Sequence, residues 1–475
     1  MSVDWPKKPL GKLLELVIDH RGKTPKKMGF SDFHSEGYPV LSAKHVKTDV
    51  LVNVEAIRFA NEQMYKKWMK VEVQEGDVVL TSEAPMGEVY YLDGKVKYVL
   101  GQRVFGLRPK KTDIHPLYLT AWLTSSRGQE QLASRASGST VLGIKQSELL
   151  KIDVDLPPYE VQEKIAKIRY DFTRKIAINT QTNQTLEQIA QAIFKSWFVD
   201  FEPVKAKIAV LEAGGTAEQA ELAAMSVISG KDETALKQLQ AEQPDRYQEL
   251  AETAALFPSA MVESELGEIP EGWEVVGFSE IATLDTTSVK PNKSPDKVWD
   301  HFSIPAFDVN QSPAKELGAT IKSGKYKVKK TAILSSKLNP HFPRTWWPDI
   351  EDEESAICST EFMQFIPKKD EDRPFIYCLI TSSPFQEGIL QRVTGTTGSR
   401  QRAQPPQVAA MDVIIPRKEL IDKFSNKAFP LLDRKAKNIK QNNSLSDLRD
   451  TLLPKLLSGE IDLSLCHTTA NQEDK

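Results

Sequence analysis

The sequence predicts an α+β protein written twice: two pseudo-twofold-related α+β heads separated by two long antiparallel coiled-coil helices. Three observations carry this. The same order of elements recurs along the chain at an offset of 257 to 268 residues. Each copy passes, after a proline, from short β-rich runs into a long stretch of helical periodicity. Both helical stretches interrupt their apolar face with asparagines at the same place.

The 475 residues leave room for two to four domains, each with its own core. Hydrophobic residues make up 40% and charged residues 27%, an ordinary globular composition. Cys358, Cys378 and Cys466 lie far apart with no C-x-x-C pair, which argues against a disulfide framework and a structural zinc site. The start, MSVDWPKKPL, lacks the apolar region of a signal peptide, and no run reaches the ~18–20 apolar residues of a membrane span. A reducing cytoplasm and no membrane partner are expected. Net charge is −3, unevenly spread: residues 1–156 carry about +4 and residues 203–271 about −8.

The repeat opens on tryptophan. Trp5 with Leu10, Leu13 and Leu16 matches Trp273 with Phe278, Ile281 and Leu284. The strand-like run Tyr98–Lys110 matches Ala356–Lys368, and Tyr118–Ser126 matches Phe375–Ser383. The loop Ser137–Thr140 falls on Thr394–Thr397, and Val154–Pro157 on Val413–Pro416. Strands are expected at Asp77–Leu80 and Val96–Phe105, and again at Thr331–Leu334 and Glu361–Ile366.

The helical stretches are expected over about Tyr159–Phe198 and Lys418–Leu457. In the first, Ile165, Ile168, Phe172, Ile176, Leu186, Ile189, Ile193 and Trp197 step by three and four along one face. In the second, Phe424, Leu431, Leu445, Leu448, Leu452 and Leu456 do the same. The polar interruptions place Asn179 over Asn438 and Asn183 over Asn442. A polar layer in a helical seam costs stability but selects register; a break into shorter helices is the alternative. Either way each apolar face needs a partner, and the nearest equivalent is the other helix.

Residues 203–262 have no counterpart and read as an acidic helical insertion or linker, broken at Gly214, Gly215 and Pro244. The expected division is therefore a first head at 1–156, a first spacer helix at 157–202, the insertion at 203–262, a second head at 263–415, a second spacer helix at 416–462 and a disordered tail at 463–475.

Several segments together resemble the specificity subunits of type I restriction-modification systems. They are the turn Arg21–Pro25 (RGKTP), Gly76–Thr81, the helix start Leu156–Glu163 (LPPYEVQE), the stretch Leu186–Phe201, the opening Glu265–Trp273 and Leu453–Glu460. These span nearly the whole chain. The second head departs in having Thr286–Lys290 where the first has RGKTP. The resemblance implies two target-recognition domains reading double-stranded DNA, and a complex. Two modification subunits would bring S-adenosylmethionine and the adenine methyltransferase site, and two restriction subunits the ATP- and Mg-dependent motor and nuclease. This chain would bind no cofactor or metal itself. A ~40-residue helix is ~60 Å long and the major groove recurs every ~34 Å, so two heads on such helices fit successive grooves. Unlike heads predict an asymmetric, bipartite site with an unread gap.

The loops Ser137, Gly138, Ser139, Thr140 and Thr394, Gly395, Thr396, Thr397 offer small hydroxyls and free backbone N–H groups for close approach to phosphate. The second continues into Arg400, Gln401 and Arg402, suited to guanine, adenine or phosphate. In the first head Lys44, His45, Gln102, Arg103, Lys145 and Gln146 are comparable, with Lys23 and Thr24 in the turn. The cluster Phe342–Trp347 is a candidate for stacking on DNA or for packing.

No enzyme motif holds. Leu156–Tyr159 (LPPY) mimics an amino-methyltransferase motif, but that chemistry needs a polar first residue to accept from the target amino group. There is no G-x-x-x-x-G-K-[ST] loop, and the histidines show no metal-ligand spacing. The rival from another class is a duplicated coiled-coil adaptor that reads no DNA.

Overall fold

The computed structural model describes residues 3–138, 141–394 and 401–463. The chain divides into two compact units, residues 1–177 with 444–475, and residues 178–443. The expected tail falls, apart from Leu463, outside the described residues.

In the first unit a four-stranded sheet is built from β1 (Leu14–Asp19), β2 (Val78–Thr81), β3 (Val89–Tyr91) and β4 (Val104–Pro109), in the order β1-β4-β2-β3. In the second unit β5 (Ala282–Asp285), β6 (Ile333–Ser336), β7 (Thr345–Trp346) and β8 (Phe362–Pro367) adopt the order β5-β8-β6-β7. The topology is the same, strand for strand. A helical pair follows the last strand in each, Pro116–Thr124 with Ser126–Ser134 and Arg373–Thr381 with Ser383–Gln391. Each head also ties its ends together, Lys7–Pro9 pairing with Asp153–Asp155 and Glu274–Gly277 with Asp412–Ile415. The duplication read from the sequence is a duplication of fold.

The heads differ in what fills this frame. Asp77, just before β2, and Arg108, on β4, form a buried bidentate pair, Nε to Oδ1 and Nη2 to Oδ2 both at 2.8 Å. Strand register places Ala332 and Ile366 at the corresponding positions of the second head. One head is stapled by charge where the other is apolar.

The expected strand at Val96–Phe105 is broken in two, whereas that at Glu361–Ile366 forms one residue displaced and is set off from a shorter strand before it. Val99–Leu100 and Val104–Pro109 flank a break at 101–103, and Ala356–Cys358 and Phe362–Pro367 flank one at 359–361. At the first break Arg103 takes the left-handed backbone, φ 64°. Both breaks fall on three successive non-apolar residues, Gly101-Gln102-Arg103 and Ser359-Thr360-Glu361, between apolar runs.

The two helices are unbroken: α1 spans Tyr159–Phe198 and α2 Lys418–Leu457. Pro157 and Pro158 precede the first turn of α1, where their carbonyls accept from Gln162 Nε2 and from the Val161 and Gln162 N–H groups. Pro430 and Pro454 lie inside α2 on its exposed side, where water can take the carbonyls they leave without a helical donor.

Within the second unit the helices pair antiparallel. Phe194 packs edge-on against Phe424 with ring centroids 5.5 Å apart, and Lys435 Nζ donates to Glu187 Oε2 at 2.6 Å. The polar layer closes on itself. Asn179 Nδ2 donates to Gln441 Oε1 at 2.7 Å and Asn442 Oδ1 at 2.9 Å, and Asn438 Nδ2 donates to Asn183 Oδ1 at 2.9 Å. The 179–442 and 183–438 contacts are repeat equivalents of each other, so every buried amide finds its counterpart. Within the first unit Ile165, Ile168, Phe172 and Leu452 lie on the facing sides, with Leu453 and Leu456 buried beside them.

The predicted face needs correction at two positions. Ile189 is 43% and Leu448 51% exposed. A 3.6-residue period carries the seam through Ala190, Phe194 and Trp197 with Ile193 at its flank, while Leu186 is half-buried, so Ile189 rotates out. Leu448 likewise turns away while Leu445 and Leu452 stay half-buried; Leu431 is half-buried beside the fully buried Leu432.

Replacing Asn438 alone by leucine should cost about 1–3 kcal/mol, because Asn183 is left buried without its donor. The double substitution Asn183→Leu with Asn438→Leu should recover most of that loss. Urea unfolding midpoints of the full chain check both; a neutral single variant would contradict the pairing.

The acidic insertion folds as four helices, Glu202–Glu212, Ala217–Ser229, Glu233–Glu242 and Pro244–Ala255, about Ala224, Met225, Leu236, Leu250 and Ala254. Thr216 caps its helix in a box with Gln219, and Gly230 ends that helix at φ 67°.

Candidate nucleic-acid interface

In the first head the sequence candidates converge. The strand Tyr38–Leu41 pairs antiparallel with Phe59–Ala60 and parallel with Val99–Leu100. That small sheet brings the RGKTP turn, the 42–45 turn and the 101–103 break around one open cleft of about 290 Å³. Lys23, Thr24, Lys44, His45, Gln102 and Arg103 all line it. The sequence missed Phe33, Ser42, Arg58 and Trp68 in the same lining. No spacing rule links them to the turn; only the strand pairing does.

The cleft is cationic. Lys23 donates to the Trp68 carbonyl at 2.6 Å; burial and the nearby Lys70 lower its pKa. The Arg58 guanidinium covers the Phe33 ring at 4.4 Å. The His45 ring is held below its ordinary pKa by burial, and then by Lys44 and Arg58. Its Nδ1 accepts from the Ser42 backbone N–H at 3.2 Å, so the neutral ring is fixed in place. Such a concentration of positive charge attracts an anion. Arg21, first residue of the turn, is not in the lining: Nε and Nη2 grip Asp19, and the guanidinium lies 4.0 Å over Phe105.

The base of the hydroxyl–glycine loop lies next to the lining in sequence and pairing, Gly143 bridging Glu83 beside Ala84. Ser137 and Gly143 exchange both backbone hydrogen bonds, and Gly138 sits at φ 129°, where a Cβ would come within 2.1 Å of the Val141 carbonyl oxygen. Only glycine makes that turn. Ser139 and Thr140 lie outside the described residues. Lys145 is exposed at the start of the short helix Gln146–Leu149.

The second head repeats the junction bond for bond. In the first, Ser82 N–H donates to Arg103 O at 2.8 Å and Ile144 N–H to Ser82 O at 2.9 Å. In the second, Lys337 N–H donates to Glu361 O and Ala403 N–H to Lys337 O, both at 2.9 Å. Thr394 and Arg402 pair across the base of the second loop, and the Gln401 carbonyl accepts from Asn339 N–H at 3.0 Å. Gly395, Thr396, Thr397 and Arg400 lie outside the described residues. Arg402 is engaged by Glu361, Nε to Oε2 and Nη2 to Oε1 both at 3.0 Å. Of the aromatic cluster, Trp346 is buried against Phe302 and Phe307, and Trp347 packs on Tyr377 and Arg373. Phe342 alone is presented to solvent, 68% exposed.

A head that is repeated, with a cationic cleft in the first copy and the same backbone junction in the second, each leading into a long helix, is chemically suited to a nucleic-acid-binding subunit. Comparison with known proteins names the family. A family model described as Type I restriction modification DNA specificity domain matches residues 2–188. The HindI specificity subunit of Haemophilus influenzae is 31% identical over 410 residues, 82% of this chain and 88% of that protein. The MjaIX specificity subunit of Methanocaldococcus jannaschii is 24% identical over 81% of this chain and 78% of its own length. The chain belongs to the specificity subunits of type I restriction enzymes, whose general role is recognition of DNA sequence. The S subunit of the M. genitalium type I system has the same fold, with a TM-score of 0.53 at 14% identity and 96% of each chain covered. Among the described residues no helix is long and apolar enough to cross a membrane.

Proposed function

We propose that each head reads one half of an asymmetric, bipartite duplex site, and that the paired helices fix the unread gap between the halves. The chain contributes recognition and an assembly platform but no catalysis. Two modification subunits supply S-adenosylmethionine and adenine methylation, and two restriction subunits the ATP- and Mg-dependent motor and nuclease, all in the cytoplasm. The domain division given above, with heads at 1–156 and 263–415, follows the same plan. One observation carries the reading: an identical backbone junction in both heads is dressed with unlike side chains, as two readers of unlike sequences require. The duplicated adaptor accounts for the helices but not for these junctions.

A gel shift of the chain with its modification subunit tests it. The expected result is preference for one bipartite site, with log K falling linearly in log salt as phosphate-bound counterions are released. Binding indifferent to sequence at every salt concentration would leave the adaptor standing.

A further inference from the structure

The sequence match that aligns Tyr98–Lys110 with Ala356–Lys368 puts Arg103 and Glu361 at one repeat position, and the backbone bonds to Ser82 and Lys337 place them identically. Their charges are opposite. Each is nonetheless ion-paired, but with a different neighbour. Arg103 Nε lies 3.1 Å from Glu83 Oε1, on the β2–β3 hairpin. Glu361 is gripped by Arg402, on the loop arm. The repeat equivalents of those two partners are Leu338 and Gly143, which carry no charge. The pair has therefore been kept in place while its polarity and its partner element have been exchanged.

Stability does not explain its retention. The side chains are 53% and 42% exposed in the first head and 44% and 28% in the second, and exposed ion pairs contribute little. Arg103 moreover holds a left-handed φ of 64°, unfavourable for a non-glycine residue, at the lip of the cationic cleft.

We propose that this lip pair is the base-reading element of each head: Arg103 and Glu83 in the first, Glu361 and Arg402 in the second. In free protein each charge satisfies the other. On a duplex the pair opens, the guanidinium donating to guanine O6 and N7 and the carboxylate accepting from a cytosine N4 amino group. Reversing polarity between the residues that precede β4 and β8 reverses which element carries the donor, so the two heads favour different bases at corresponding positions. The inference rests on the recognition reading above and assigns its specificity to four residues.

The test is selection from a duplex library randomised in both half-sites, using the chain assembled with its modification subunits. Arg103→Gln should change base preference about tenfold or more at one position of one half-site, and Glu361→Gln should do so in the other half-site only. The exchange Arg103→Glu with Glu83→Arg preserves an ion pair, so a structural role predicts wild-type preference; base reading predicts wild-type melting temperature with an altered base. Restored preference in the exchange, or single variants that weaken all sequences equally, would overturn the proposal. A wild-type complex that selects no sequence would overturn the recognition reading itself, a separate and visible failure.

Discussion

Removing seven residues from α1 and the seven repeat-equivalent residues from α2 should shift the gap in the preferred DNA site. Each helix shortens by about 10 Å at ~1.5 Å per residue, close to three base pairs of duplex. Seven residues leave the helix face nearly in phase, so the apolar faces carrying Ile165, Phe194 and Phe424 survive. Affinity for the original spacing should fall about 10³-fold, to the non-specific level. Half-site preferences should persist, because the lip residues and the cleft are untouched. Binding titrations on duplexes of stepped gap length read the shift directly.

Asp77→Ala should cost the first head about 3–5 kcal/mol. The Arg108 side chain is only 10% exposed, and Asp77 takes two of its donors while its carboxylate also accepts from Gln74 N–H at 3.0 Å. Removing the carboxylate leaves a guanidinium in the core with a lone carbonyl partner, Glu72 O. The molecule carries its own control: the second head has Ala332 and Ile366 at these positions. Asp77→Ala combined with Arg108→Ile should therefore be far milder than the single change. Hydrogen exchange reports each head separately. Protection of β4 should collapse in the single variant, with β8 unchanged.

Much of this was legible in the amino acids. The duplication was, because element order and the asparagine layer repeat at a steady offset. The limits of α1 and α2 were, because prolines open both and the apolar steps of three and four resume after each asparagine interruption. Less could be read where tertiary pairing decides. Ile189 and Leu448 fit a three-or-four step as well as their buried neighbours do, and only the partner helix turns them outward. The strand breaks at 101–103 and 359–361 are marked only by three successive non-apolar residues each, a signal an exposed strand edge would also give, and the left-handed position itself is Arg103, not a glycine. Six of the first head's candidates converge on one cleft, yet Arg58, Phe33 and Trp68 join them solely through the Tyr38–Leu41 strand. Glu361 was within reach, since the repeat sets it directly under Arg103; attention to chemistry at matched positions, beyond matched pattern, would have found it.

The central claim is that one ancestral reader, doubled and diverged, grips two unlike half-sites at a set distance. Mapping N6-methyladenine genome-wide in cells with and without this gene addresses it most directly. The account predicts that one motif disappears with the gene, composed of two different half-sites around a gap of constant length. A contiguous motif, or two identical halves, would contradict it.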